Sequence, residues 1–411
     1  MIKEGCVCLN LRVYLLAVSA FVVGTVELIV GGILDLIAAD LHISVSAAGQ
    51  FITIFSVAFA LSAPILMNLT AKMERKKLYL YALAVFVLAN LIVAFSSSYA
   101  LTLSARALSA MSGSVIIVLS ITMASQLVPE SHRGRAIGVI YMGISGSLVL
   151  GVPIGMVIGN AYGWRAPFLL IVALSLVAMI CIALFLQRTE PSPAVPLRKQ
   201  LATLRSSKLV SGQLISFIML TGHLTLYAYL APFVQSNFDI SPTMMSVVYF
   251  MFGIAAVSGG GLGGLLSDKW GVNKTILLIV TCFSGAMFMM LLAAQASIYV
   301  FMAAMMIWGG LSWALSPAQQ SYLIKHAPDT VEIQLSLNNS VMHLGIATGS
   351  FIGGMVIENS SVANNPWVGG LIALLALGCA AFSISRKPVA ANLAAAKRPA
   401  ASAVGSIAEQ V

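Results

Sequence analysis

Charge is what this 411-residue chain has least of: Asp, Glu, Lys and Arg together make 9% of it, against about 25% in soluble domains. Hydrophobic residues make 59%, a ratio for which a soluble fold has no use. Cysteine is scarce and odd in number, five in all. Cys181, Cys282 and Cys379 fall inside long apolar runs, where they pack as small apolar groups. Cys6 and Cys8 have no His or further Cys to complete a metal site. A nucleotide-binding G-x-x-x-x-G-K-[ST] loop is missing too, since Lys274-Thr275 follows Val272-Asn273 without the glycines. That leaves nothing to couple ATP directly. No His/Asp/Glu grouping at ligand spacing occurs in any apolar run, so neither a metal centre nor an enzyme is expected. The first run is too long for a cleaved signal, and no small-residue cleavage site follows a short core.

What is present is length of apolar sequence. Crossing about 30 Å of hydrocarbon as helix takes about twenty residues. Twelve stretches suffice: 12–37, 47–70, 78–96, 100–128, 136–161, 164–186, 209–234, 242–266, 274–294, 297–324, 334–357 and 366–385. The expected fold is therefore all-α and membrane-spanning, with twelve transmembrane helices. If both ends lie in the cytoplasm, all but two of the 22 Lys and Arg fall in inner loops or tails. The exceptions are Arg106, within a span, and Arg165, at an outer loop. The net charge of +9 then follows from topology and attraction to anionic lipid, and no nucleic-acid partner is needed.

Residues 187–208 hold three prolines and five basic residues. They read as a cytoplasmic linker, with a short surface helix over 197–208, between bundles at 12–186 and 209–386. Tails at 1–11 and 387–411 flank these, the second expected to be disordered. The halves resemble each other at an offset of about 197, NLTAKMERKKLYL (68–80) answering LLSDKWGVNKTIL (265–277). Gly151, Gly155 and Gly159 in the fifth span are echoed by Gly345, Gly349 and Gly353 in the eleventh. Small residues at this spacing let helix backbones approach closely in lipid. Two related halves suit a protein that rocks one against the other around a central site.

Ionisable groups at membrane depth are expensive and mark function. Glu27 lies about 22 Å from the inner face and Arg106 about 18 Å, by the helical rise per residue. The two can share a layer, either as a structural ion pair or as a proton carrier, Glu27, with a fixed charge, Arg106, that responds to it. Since a buried ion pair does little for stability, coupling is favoured. His223 stands at the matching depth of the second half, and His343 in the eleventh span has Asn338 and Asn339 nearby. Either His is a satisfied interior residue or part of a site. The tenth span, WGGLSWALSPAQQSYLI (308–324), supplies Trp308, Trp313, Gln319 and Gln320, and Pro317 is expected to open the helix. Tyr227 joins the candidates, while Tyr229 reads better as interfacial belt. Aromatics with neutral amides suit an uncharged, planar, hydrogen-bonding solute. Asp268 and Lys269, at the inner end of the eighth span, are placed to hold an inner gate shut through a neighbouring helix N-terminus. One acid without a carboxylate cluster favours protons over sodium as the driving ion.

Two six-span halves, SDKWGVNK after the eighth span, RALSAMSG around Arg106, and LGVPIG (150–155) resemble the major facilitator superfamily, in its twelve-span drug:proton antiporter branch. Gly151, Pro153 and Gly155 match that branch's antiporter motif. VELIVGGIL (26–34), GHLTLYAYLAPF (222–233) and FGIAAVSGG (252–260) are similar to bacterial purine base and nucleoside efflux pumps. The resemblance spans residues 12–386. It implies a multi-pass protein of the bacterial inner membrane that exports hypoxanthine, adenine, guanine or their ribonucleosides in exchange for protons. No cofactor beyond the proton gradient and nothing more than a monomer would be needed. Asp35 departs from the proline expected after GGIL and puts an extra acid near the outer mouth. The alternatives are the same machine with a drug or sugar as cargo, and an uncoupled facilitator.

Overall fold

The computed structural model describes residues 11–129, 132–187, 203 and 206–386. The sequence-predicted tails, Cys6 and Cys8, and nearly all of the linker lie outside the described residues. Among those residues there is no strand, and twelve helices are long and apolar enough to cross a membrane. They are Leu11–Gly32, Val45–Leu69, Arg75–Phe95, Tyr99–Gln126, Arg133–Tyr162, Ala166–Phe185, Ser207–Tyr227, Pro242–Trp270, Val272–Ala296, Ile298–His326, Ile333–Asn359 and Val362–Ser385. With spans alternating in direction, residues 11 and 386 lie at the same side of the bundle, here the terminal face.

Two spans end earlier than their apolar runs. The first stops at Gly32, and a short helix, Leu34–Asp40, continues after a break at Ile33. The seventh stops at Tyr227, and Leu230–Asn237 continues it. Hydropathy sees one run in each case, but the backbone turns. Gly31-Gly32 are weak helix formers, and Pro232 cannot donate the bond that would tie it back to residue 228. The break recurs in both halves, in line with the internal repeat.

The glycine ladders mark backbone contacts. A Cβ on Gly151, Gly155 or Gly159 would meet Thr25, Ile29 or Ile33 of the first span, itself read at every fourth residue. Gly345, Gly349 and Gly353 face the carbonyls of Phe217, Thr221 and Thr225 on the seventh span in the same way. The fifth span is also remodelled next to its motif: Ser147–Gly151 forms a π turn before Pro153, a local widening that recurs at functional sites. Pro317 does not open the tenth span, which runs unbroken to His326. The rest of that helix's ladder and its neighbours hold the proline in place.

The halves meet along two seams, second span on eleventh and fifth on eighth. Their cross-half hydrogen bonds cluster away from the terminal face. Ser350 Oγ donates to the Gly49 carbonyl at 3.1 Å, and Tyr249 Oη donates to the Gly31 carbonyl at 3.0 Å, just before the break in the first helix. Tyr229 is fully buried in this seam rather than at the membrane interface. Its hydroxyl donates to the Ser350 carbonyl at 2.9 Å and sits where a Cβ on Gly49 would be. The tight second–eleventh approach needs an aromatic wedge there, which explains why a tyrosine near a helix end is inside. At the rim of the face opposite the terminal one, Asp40 accepts from Trp164 Nε1 at 3.1 Å and Arg165 Nη1 at 2.6 Å. The indole N–H first, and the guanidinium with it, hold this carboxyl below the usual carboxylate range.

Gly349→Leu should therefore cost at least the 1–3 kcal/mol or so of an overpacked core, since a backbone carbonyl cannot step aside. Thermal unfolding and size-exclusion profiles of the purified protein check this. Gly378→Leu, where nothing lies within 4 Å of the added Cβ, should leave both unchanged.

Candidate transport site

On the terminal-face side of the seams, between the two halves, lies a cavity of about 280 Å³, near the lower end of the range that holds small-molecule ligands. Its walls are mostly apolar, with a few polar groups from the first, seventh, tenth and eleventh spans. Toward the terminal face its lining residue Tyr141 is 46% exposed.

One wall carries charge. Glu27 lines the cavity directly. Arg106 does not: it is 1% exposed, its Nη1 donates to the Val26 carbonyl at 2.8 Å, and its guanidinium lies 4.3 Å over the Phe55 ring. Nε and Nη2 have no protein partner. No Glu27–Arg106 ion pair forms, although each feels the other's charge. The partner that approaches Glu27 is His343, from the other half, with Nδ1 3.3 Å from Oε1. The two atoms are close but not aligned as a hydrogen bond. The His343 ring is stacked on Phe59 of the second span, with centroids 4.1 Å apart.

The opposite wall is aromatic and neutral. His223 is stacked with Tyr227 at 5.3 Å and with Phe252 at 6.0 Å, and Trp308 tilts against it at 4.8 Å. His223, Tyr227 and Phe252 reach the cavity, whereas Trp308 backs them from outside its lining. The His223 Nδ1, Tyr227 Oη and Trp308 Nε1 atoms are buried without a protein partner.

The remaining candidates separate. Trp313 and Gln320 line the cavity, and Gln320 makes only a 3.4 Å contact with Ser316. Gln319, one residue away, turns to the seventh span and donates to the Gly212 carbonyl. Adjacent helical residues point about 100° apart, and here that turn takes Gln319 to the seventh span and leaves Gln320 at the cavity. Asn338 borders the cavity, but its Nδ2 already donates to Gln213 Oε1 at 2.8 Å and Ser216 Oγ at 2.9 Å. Asp268 and Lys269 are exposed in the last turn of the eighth span, and no hydrogen bond or ion pair engages them. The expected gate contact is not made in this conformation. Gly151 and Gly155 stand in the first–fifth packing, Pro153 is buried between them, and none of the three lines the cavity. Sequence reasoning missed Phe252, Phe59 and Tyr141. They carry no signal that separates a lining aromatic from a core one: Phe59 follows Phe51 and Phe55 at helical spacing, Phe252 follows Tyr249 and Phe250, and Tyr141 stands in an otherwise apolar stretch.

The arrangement is that of a solute-binding cavity between two helical halves, and comparison with known proteins gives it a family. The model described as Major Facilitator Superfamily matches residues 16–331 and 214–409. An uncharacterized MFS-type transporter of Bacillus subtilis strain 168, YbcL, is 38% identical over 92% of this chain and 96% of its own. A second from that strain, YtbD, is 31% identical over 87% and 91%. A probable sugar efflux transporter of Mannheimia succiniciproducens is 28% identical over 89% and 92%. Among solved structures, a bacterial homolog to the human lysosomal transporter Spinster, in an inward-facing and unoccupied conformation, superposes with a TM-score of 0.71 over 91% of this chain and 95% of that one. At 15% identity that likeness concerns the fold alone. The chain is a multi-pass membrane protein and belongs to the Major Facilitator Superfamily of transporters.

Proposed function

We propose that this transporter exports purine bases or purine ribonucleosides across the bacterial inner membrane in exchange for protons. The terminal face is cytoplasmic in this reading, because the basic loops lie there, and the conformation is inward-facing. The observation that carries the cargo class is the aromatic wall. His223, Tyr227 and Phe252 offer flat faces to a planar ring, and the unpartnered His223 Nδ1 and Tyr227 Oη offer edge hydrogen bonds. Gln320 and Trp313 line the same cavity. A neutral solute is favoured since no Lys or Arg among the described residues lines the cavity, and Arg106 at membrane depth is turned away from it.

A second reading, sugar export, is favoured by the relative named as a probable sugar efflux transporter. Aromatic faces serve sugars as well, so cargo assays must decide. Cells overexpressing the protein should resist toxic base and nucleoside analogues, and labelled hypoxanthine or inosine should accumulate in inverted vesicles when an inward-acid gradient is imposed. Accumulation of sugars in those vesicles, with none of purines, would replace the cargo.

Glu27 supports the coupling role by its place in the cavity wall at membrane depth. Glu27→Gln should abolish gradient-driven accumulation in vesicles while leaving cargo exchange across the membrane largely intact. Full uphill transport in this variant would remove Glu27 from the coupling step. Trp313→Ala should weaken purine binding by about 1–3 kcal/mol, the worth of one base–aromatic stack, or about 5- to 150-fold in affinity, as read by titration calorimetry. Tyr141→Phe, which keeps the ring and removes only a hydroxyl at the mouth, should leave that affinity within about twofold, an effect well under 1 kcal/mol.

A further inference from the structure

His343 belongs to the second half by sequence, yet its ring is spent on the first. One face lies on Phe59 of the second span, and Nδ1 stands 3.3 Å from the Glu27 carboxylate of the first. It also sits where the cavity ends and the closed seam begins. Ala347 and Ser350, one and two turns further along the same helix, already pack against Thr53 and Gly49 of the second span. Opening the face away from the termini must part these two spans. The motion cannot proceed without pulling His343 off Phe59 and away from Glu27.

We propose that the Glu27–His343 contact is a latch that keeps the empty, unprotonated carrier closed at the outer face. It rests on the proton coupling proposed above. An exchanger must not reorient when it carries neither proton nor cargo, or the gradient leaks away. His343 Nδ1 and the carboxylate stand within ion-pair distance, and the attraction between them is greatest while the carboxylate carries its charge. A proton on Glu27 takes away that charge and loosens the seam. Cargo in the cavity can take the same place, because both side chains line it. The other titratable or charged groups facing the pair are Arg106 on the fourth span, Tyr141 on the fifth, and His223 and Tyr227 on the seventh. The lining residues of the second, eighth and tenth spans bring none. Arg106 is a fixed charge beside the pair, bonded to the Val26 carbonyl next to Glu27.

The test uses the full-length protein in nanodiscs, with native cysteines replaced and spin labels at Ser97 and Ser361, both exposed on the outer face and on opposite halves. No cargo is added. In the parent protein, acidification should raise the fraction with widely separated labels several-fold. Glu27→Gln should hold that fraction high at acid and alkaline pH alike. His343→Phe keeps a ring on Phe59 but removes Nδ1, and His343→Gln keeps a polar group without the ring. Both should show a raised fraction at alkaline pH, a much reduced pH response, and a several-fold faster cargo-free proton leak in proteoliposomes. A parental pH response and a tight proton seal in both His343 variants would overturn the latch. If Glu27→Gln alone loses the response, proton coupling survives and only His343's part falls. A parental response in Glu27→Gln would instead bring down the coupling itself.

Discussion

In hydrocarbon, apolar side chains gain little by leaving lipid for one another, so helices there are held by how closely their backbones can approach. That constraint organises this molecule. Within each half the approach is set by glycine ladders: the fifth span on the first at residues 151, 155 and 159, and the eleventh on the seventh at 345, 349 and 353. A carbonyl against a glycine has nowhere to go, which makes these seams rigid. Between the halves the seams are of another kind. Single hydrogen bonds, Ser350 of the eleventh span to Gly49 of the second and Tyr249 of the eighth to Gly31 of the first, and one aromatic wedge, Tyr229, hold the halves together on one side of the membrane only. Rigid units joined by contacts that each contribute about 1 kcal/mol are what rocking motions require.

The division of charge between the cavity walls follows from the same economy. A bonded Glu27–Arg106 pair would fix both ionisation states and gain little stability in return. Instead the guanidinium is satisfied elsewhere, by the Val26 carbonyl and the Phe55 face. It remains near enough for its charge to act on Glu27 and leaves the carboxylate open to the cavity. A carboxylate that is reachable from solvent and not locked to a cation can exchange protons. Arg106 thus serves best by keeping its distance.

Much of this was legible in the sequence. The twelve spans follow from hydropathy, and the glycine spacing identified helix faces that do touch. What could not be read was direction. Gln319 and Gln320 are chemically one candidate, yet only Gln320 faces the cavity. Asn338 reads as a free amide until Gln213, 125 residues away, is seen to have engaged it. Tyr229 reads as a belt residue because its run continues to 234. Only the break after Tyr227 shows that the chain turns there and carries the ring into the seam. The two breaks, at Ile33 and before Leu230, were missed for the same reason. Hydropathy alone does not separate one long helix from a long and a short one; the signals lay in Gly31-Gly32 and Pro232.

The aromatic wall explains where the fold has accepted instability. A buried polar atom without a partner costs about 1–3 kcal/mol, and native interiors keep few of them. Here three occur side by side, on His223, Tyr227 and Trp308. Phenylalanine at each position would fill similar space with no such cost. The polar atoms of His223 and Tyr227, which reach the cavity, give the wall hydrogen-bonding edges that stacking alone would lack. A wall of phenylalanines would bind flat apolar molecules indiscriminately, whereas a site built to hydrogen-bond rejects analogues that leave its buried groups unpaired. In the proposed reading, selectivity for a polar planar cargo offsets that cost.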